Sequence, residues 1–267
     1  MKNTILVTLI TTVIFLTSCS DDDMGEPVFR LTEFNGAYAM RPGTFLSGYL
    51  TDLNCCLIEY QNGKVSKAIY KNTIGQPLPV DGFTGNVNLT NEYHEIVYQK
   101  NIVKIIKKID SDDIPYTPQI TQLTLDKTKR IIKRTDSISK DTTEYSYSKN
   151  GLLNESVTYN GDCCIVTRKF YFDSNNNLTR IYEESNYNNG SKFYAFEYFD
   201  GYDNGINGFK NLGIIEGAFT RSFSQNNFNV YSRASYNNEN ILQDTMRITL
   251  NVEYDEDGYP IYGDCTE

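Results

Sequence analysis

The sequence predicts an all-β fold: an antiparallel meander of repeated hairpins rolled into a soluble barrel or half-barrel. Three observations predict it. Apolar and polar residues alternate with period two along several stretches, as they must when successive side chains leave a strand on opposite faces. Gly and Asn pairs stand between those stretches, at Asn62-Gly63, Asn150-Gly151, Asn160-Gly161, Asn189-Gly190 and Asp257-Gly258. These residues accept the positive φ that tight hairpin turns require. An aromatic residue, a polar turn and an apolar residue also recur as a unit, with Tyr147 and Phe172 spaced by about two strands and two turns.

Residues 1–18 read as a signal peptide. Lys2 supplies the positive start, and the stretch from Ile5 to Leu16 is apolar and of signal length. At ~1.5 Å per residue it is too short to cross a ~30 Å hydrocarbon core. The letters Leu16-Thr17-Ser18-Cys19 resemble a bacterial lipobox. That resemblance implies cleavage before Cys19 and acylation of Cys19, and two or three acyl chains hold a protein on a membrane stably. Residues 19–28 form an acidic tether. Within it, Ser20-Asp21-Asp22-Asp23 is similar to the export signal of Bacteroidetes lipoproteins carried to the outer face of the outer membrane. The expected location is therefore the outer membrane, lipid-anchored and facing the exterior.

The single β domain is expected over 29–267. Tyr60-Gln61-Asn62-Gly63-Lys64-Val65 is its first strand–turn–strand unit, and 72–91, with Pro77 and Pro79, is irregular. Tyr98 and Leu125 open weaker copies of the unit, and Asp110 to Pro115 breaks the strands between them. Cations on both parities of Lys104–Lys108 and Arg130–Arg134 argue against a lipid-facing wall, where each costs ~2–4 kcal/mol at midplane. Leu153, Val157 and Tyr159 share a parity opposite Asn154, Ser156 and Thr158, which predicts that the first set is buried. Phe228, Val230, Ala234 and Tyr236 form a second such set, and Met246, Ile248, Leu250, Val252 and Tyr254 a third. Phe199 to Gly213 is Gly-rich and reads as a long loop with one helical turn at Phe209–Leu212.

Taken together, the repeated aromatic-Asp-x-x-Gly turns, Asn207-Gly-Phe-Lys-Asn-Leu212 and the closing Glu253-Tyr-Asp-Glu-Asp-Gly-Tyr-Pro260 resemble a group of Bacteroidetes surface lipoproteins. These carry a YD-repeat-like domain of unknown function described as porin-like. The resemblance covers most of 50–262 and implies a rolled antiparallel sheet; no activity comes with it.

Composition closes several routes. With 25 Lys and Arg against 34 Asp and Glu, the chain has no basic footprint for nucleic acid. One His, His94, excludes any multi-His metal site and any Ser-His-Asp triad not built on it. Cys55, Cys56, Cys163, Cys164 and Cys265 remain after Cys19 is acylated. Adjacent Cys on a strand point to opposite faces, so one bridge is expected between the two Cys-Cys pairs, with Cys265 available to a second partner. Cys-Cys spacing does not supply the convergent sulfurs of a zinc site, and a thiol-dependent metal or redox role is the sharper alternative.

Asp173, Asn175, Asn177 and Glu184 stand at calcium-loop spacing, but Leu178 replaces the loop's Gly and a polar hairpin turn explains the same letters. Asp110, Asp112 and Asp113 read as a solvated loop, and His94 as a partly exposed side chain. No cofactor motif and no metal site is read. The chain holds 21 Tyr and 28 Asn, and Tyr187-Asn188 and Tyr236-Asn237 at hairpin tips are the best candidates for contact with a glycan or protein. The resulting expectation is a non-catalytic binding or scaffold module. Its alternatives are a hydrolase using paired carboxylates in the barrel mouth and a thiol-dependent metal binder.

Overall fold

The computed structural model describes residues 30–35, 38, 55–71, 91–110 and 117–263. Among the described residues fourteen strands make one antiparallel sheet in strict chain order. They are β1 (Glu33–Asn35), β2 (Cys55–Gln61), β3 (Lys64–Lys71), β4 (Asn91–Gln99), β5 (Ile102–Asp110), β6 (Gln119–Leu125) and β7 (Ile131–Asp136). There follow β8 (Thr142–Tyr147), β9 (Leu153–Asn160), β10 (Cys164–Phe172), β11 (Leu178–Tyr187), β12 (Lys192–Asp200), β13 (Val230–Asn237) and β14 (Leu242–Thr249). A separate hairpin pairs β15 (Glu253–Tyr254) with β16 (Pro260–Ile261). Among the described residues β14 does not pair with β1, so the sheet is curled but not closed into a barrel. The signal, the acidic tether and Cys265 lie outside the described residues, as do 72–90 and 111–116 with Asp112 and Asp113.

The recurrent unit of the sequence is a recurrent turn. In the turns that begin at Asp126, Ser148, Asp173, Tyr187, Asn237 and Asp255, the first N–H donates to the fifth carbonyl and the fourth N–H to the first. The fourth residue is left-handed each time: Lys129, Gly151, Asn176, Gly190, Asn240 and Gly258 have φ between 59° and 85°. In four copies the opening Asp or Asn also caps the turn. Its Oδ1 accepts the N–H groups of the third and fifth residues, as Asp173 does from Asn175 and Asn177, both at 2.8 Å. Short polar side chains satisfy turn amides this way, which is why the repeat is written in Asp and Asn.

The sheet curls around its own long loop. The long loop expected over Phe199 to Gly213 is part of a longer segment, residues 201–229, that fills the concave face at one end of the strands as a plug. Two 3₁₀ turns, Glu216–Ala218 and Arg221–Phe223, lie within it, and Phe209–Leu212 forms a hydrogen-bonded turn rather than a helix. Phe209, Leu212, Ile215 and Ala218 are buried against Phe34, Ile58, Val65, Val103 and Leu123 of the first half of the sheet. Phe228 packs with Leu153, Phe170, Ile181, Phe199 and Tyr231 of the second half. Such a loop is buried because it carries its own hydrogen-bond partners. The Asn207 amide donates to the carbonyls of Arg221 and Ser224, both at 2.8 Å, and the Asn227 amide donates to the Ile206 carbonyl.

Three expected faces change. The strand predicted over 246–254 stops at Thr249, where Leu250 turns into the core and its N–H donates to the Asn229 carbonyl. In β9 and β13 the apolar set faces outward past its first residue. Ser156 is buried while Tyr159 is 44% exposed, and Tyr231 and Ser235 are buried while Val230 and Tyr236 are not. The bulge where β8 and β9 pair between Ser146 and Tyr147 lets Leu153 and Ser156 both point inward.

Candidate functional site

On the outer face of β11, β12 and β13 the register assembles an aromatic platform. Tyr182 stands opposite Phe196, and Tyr194 opposite Tyr236, so four rings from three strands meet. Tyr182 stacks on Tyr194 at 6.4 Å and 18°, and Phe196 on Tyr198 at 6.4 Å and 18°. Phe196 also meets Tyr182 at 5.3 Å and Tyr236 edge-on at 6.1 Å. Tyr182, Tyr194, Phe196, Tyr236 and Asn240 line a cleft of about 280 Å³. Its rim is polar. The Tyr182 hydroxyl donates to Glu184 at 3.3 Å, and Asn186 donates to the same carboxylate at 3.1 Å. Burial and the Glu184 charge push the Tyr182 phenol up to about 12, so it stays a donor. Arg180 lies 4.0 Å over the Tyr171 ring on the same face.

The inner face of the same strands is charged. Arg168 and Glu183 are cross-strand partners on β10 and β11, and Glu197 and Arg233 on β12 and β13. Arg168 grips Glu183 through two nitrogens at 2.7 Å, and Arg233 reaches Glu183 at 3.3 Å and Glu197 at 4.0 Å. Burial, and then the Glu183 charge, push the Glu197 carboxyl up against the pull of both arginines. Beside this row a polar recess of about 330 Å³ opens over β6 to β10, bordered by Arg134, Asp136, Asp141, Thr143, Thr158 and Arg168. Burial alone would raise the Asp136 carboxyl, but hydrogen bonds from Gln119, Ile138, Ser139 and Thr121 outweigh it and hold the group below its ordinary range. It is a saturated acceptor. Of the carboxylates on this face, Glu183 is held by Arg168 and Arg233, and Glu197 is buried outside the recess, 4.0 Å from Arg233. Asp136, which borders the recess with Asp141, is saturated by hydrogen bonds, which is poor geometry for an acid–base pair.

The residues singled out in the sequence separate. Tyr236 enters the platform, but Tyr187 lies on the opposite face, in register with buried Cys164 and edge-on to Phe193 at 5.6 Å. Asn237 is consumed in capping its own turn, and Asn188 donates its amide to the Asp162 carbonyl. The expected bridge between the Cys pairs does not form. Cys56, Cys163 and Cys164 are free thiols, and Cys55 is disulfide-bonded to none of them. The reason is distance along the sheet: β2 and β10 are eight strands apart, ~38 Å at ~4.8 Å per strand. Asp173 is a turn cap and Glu184 belongs to the platform rim, so the calcium-like spacing brings no ligand set together. His94 packs edge-on to Tyr70 at 4.8 Å.

The platform and the charged row were both written in β12. In Lys192-Phe-Tyr-Ala-Phe-Glu-Tyr-Phe199, aromatics occupy both parities, and Glu197 sits on the inward parity between Ala195 and Phe199. That is the signal that sequence reading passed over.

No family profile and no curated protein matches the chain. Among solved structures it is similar to a porin-like protein from Bacteroides vulgatus, with 13% identity over 86% of this chain and 90% of that one and a TM-score of 0.45. It is also similar to a porin-like protein from Bacteroides uniformis, with 9% identity over 78% and 85% and a TM-score of 0.43.

Proposed function

We propose that this is a lipid-anchored protein of the outer membrane, facing the exterior, whose β11–β13 aromatic platform binds a glycan without cleaving it. The observation that carries the binding half is the platform itself. Flat, half-buried rings offer apolar faces to the C–H faces of a sugar, while Glu184 and Asn240 at the rim offer hydrogen bonds to its hydroxyls. Tyr and Phe provide that area at low conformational cost. The arginine-held Glu183 and the hydrogen-bond-saturated Asp136 of the inner face weigh against the hydrolase alternative. The anchoring half rests on Leu16-Thr17-Ser18-Cys19 and the acidic letters that follow.

Glycan-array binding of the full chain, repeated with Tyr182→Ala and Phe196→Ala, tests the platform. Both variants keep the far-ultraviolet β spectrum and bind any positive glycan at least about tenfold more weakly, the loss expected when a stacking ring worth ~1.4 kcal/mol is removed. Undiminished binding by both variants would move the site elsewhere. Cellular labelling with a palmitate analogue tests the anchor: the wild-type chain takes the label and Cys19→Ala does not.

A further inference from the structure

At the tip of the β9–β10 hairpin, Cys163 and Cys164 bring their sulfurs to 3.0 Å. The two thiols have different roles available to them. Cys163 is exposed in the turn, whereas Cys164, the first residue of β10, is buried on the inner face. Cys164 Sγ accepts from the Cys163 S–H and from the Asn160 amide at 3.4 Å, so its lone pairs are directed at its neighbour. The backbone around them is held. Cys163 N–H closes the turn onto the Asn160 carbonyl at 2.9 Å, and Asn188 of the next hairpin donates its N–H to the Cys163 carbonyl at 3.1 Å and its amide to the Asp162 carbonyl. Elsewhere in the chain Cys55 is disulfide-bonded, to none of the thiols Cys56, Cys163 and Cys164.

We propose that Cys163 and Cys164 form a thiol–disulfide exchange site that takes up a small-molecule disulfide and closes into a vicinal disulfide. Cys163 loses its proton to solvent and its thiolate attacks one sulfur of the incoming disulfide, releasing one thiol and leaving a mixed disulfide on Cys163. Cys164, deprotonated in turn, attacks Cys163 Sγ and displaces the second thiol. One disulfide is reduced to two thiols, the protein's two thiols are oxidised to one disulfide, and two protons pass to those leaving groups. The exposed sulfur is the point of entry and the buried sulfur the resolving group, an order set by access and not by acidity, since the hydrogen bond to Cys164 raises the Cys163 thiol.

The test uses the full chain equilibrated in glutathione redox buffers, quenched with acid, alkylated and digested with trypsin. The peptide from Asn150 to Arg168 contains both thiols and no other cysteine. The expected result is a peptide without alkyl groups and about 2 Da lighter, appearing over one redox transition. In Cys164→Ser the chain stalls with one glutathione on Cys163, released at least about 100-fold more slowly because the neighbouring nucleophile is gone. Cys163→Ser, a surface substitution, removes the entry thiol, and its uptake of glutathione falls by about the same factor. Two alkyl groups on the wild-type peptide in the most oxidising buffer would overturn the proposal. So would a glutathione on each sulfur, or a link to a second chain.

Discussion

At the scale of the residue, the fold is held in register by one small device used repeatedly. An Asp or Asn at the end of a strand turns its oxygen back onto two amides of the following turn, and a residue three places on adopts positive φ. The oxygen matters and the letters between do not, so substitutions in one copy should differ sharply. Asp173→Ala removes two hydrogen bonds, at ~0.5–1.5 kcal/mol each, and should cost about 1–2 kcal/mol. Asn175→Ala, in an exposed position of the same turn, should change stability by less than about 0.5 kcal/mol. Urea denaturation midpoints at a common slope measure both. Equal costs would mean that the turn is held by its backbone alone. The same use of Asp173 explains why calcium-like spacing led nowhere: one carboxylate oxygen is already spent on two N–H groups.

At the scale of the element, the sequence made the strands and their order legible because period-two alternation and turn chemistry are local. It did not make the inward face legible in β9 and β13, because a period of two says that a strand has two faces and not which of them meets the core. That choice is made by neighbours. Arg233 faces inward because Glu197 stands opposite it, and Tyr236 faces outward with Tyr194. The platform was half legible for the same reason, since its rings come from three strands whose register no single strand records. The inward row has a consequence for stability. An unfolded Glu titrates near ~4.3, whereas burial and the Glu183 charge raise Glu197 in the folded chain. Its contribution is thus fully present below the unfolded value and is lost as pH rises through the folded value, because the unfolded chain gives up its proton first. Glu197→Gln keeps the shape and removes the titration. Measured from pH 4 to pH 8, the midpoint of the wild type should fall relative to that of the variant. Parallel curves would show that the carboxyl is not desolvated.

At the scale of the whole molecule, the question is whether the fourteen described strands, whose first and last do not pair with each other, behave as one unit. Neighbour-only contacts would let its halves unfold separately, as in repeat proteins. The plug prevents that. Its first part packs on β1 to β7 through Phe209, 5.0 Å from Phe34, and its last part on β9 to β13 through Phe228, 5.0 Å from Phe199. Tyr38, Tyr145 and Phe219 pack against both groups of buried residues, so no apolar gap divides them. Between them Arg221 is fully enclosed. Its guanidinium lies 3.9 Å over Phe228, its Nε donates to the Tyr38 carbonyl, and burial lowers it to about 10. A cation so placed ties the two groups of rings together through contacts that neither half can make alone. Phe209→Ala and Phe228→Ala should each cost about 3–5 kcal/mol and lower the melting temperature by roughly 6–20 °C. Both should do so in a single transition, followed by calorimetry and by near-ultraviolet circular dichroism of the tyrosines. If Phe209→Ala instead splits the melt, with one step unchanged from the wild type, the two halves fold independently and the plug is a lining rather than the keystone.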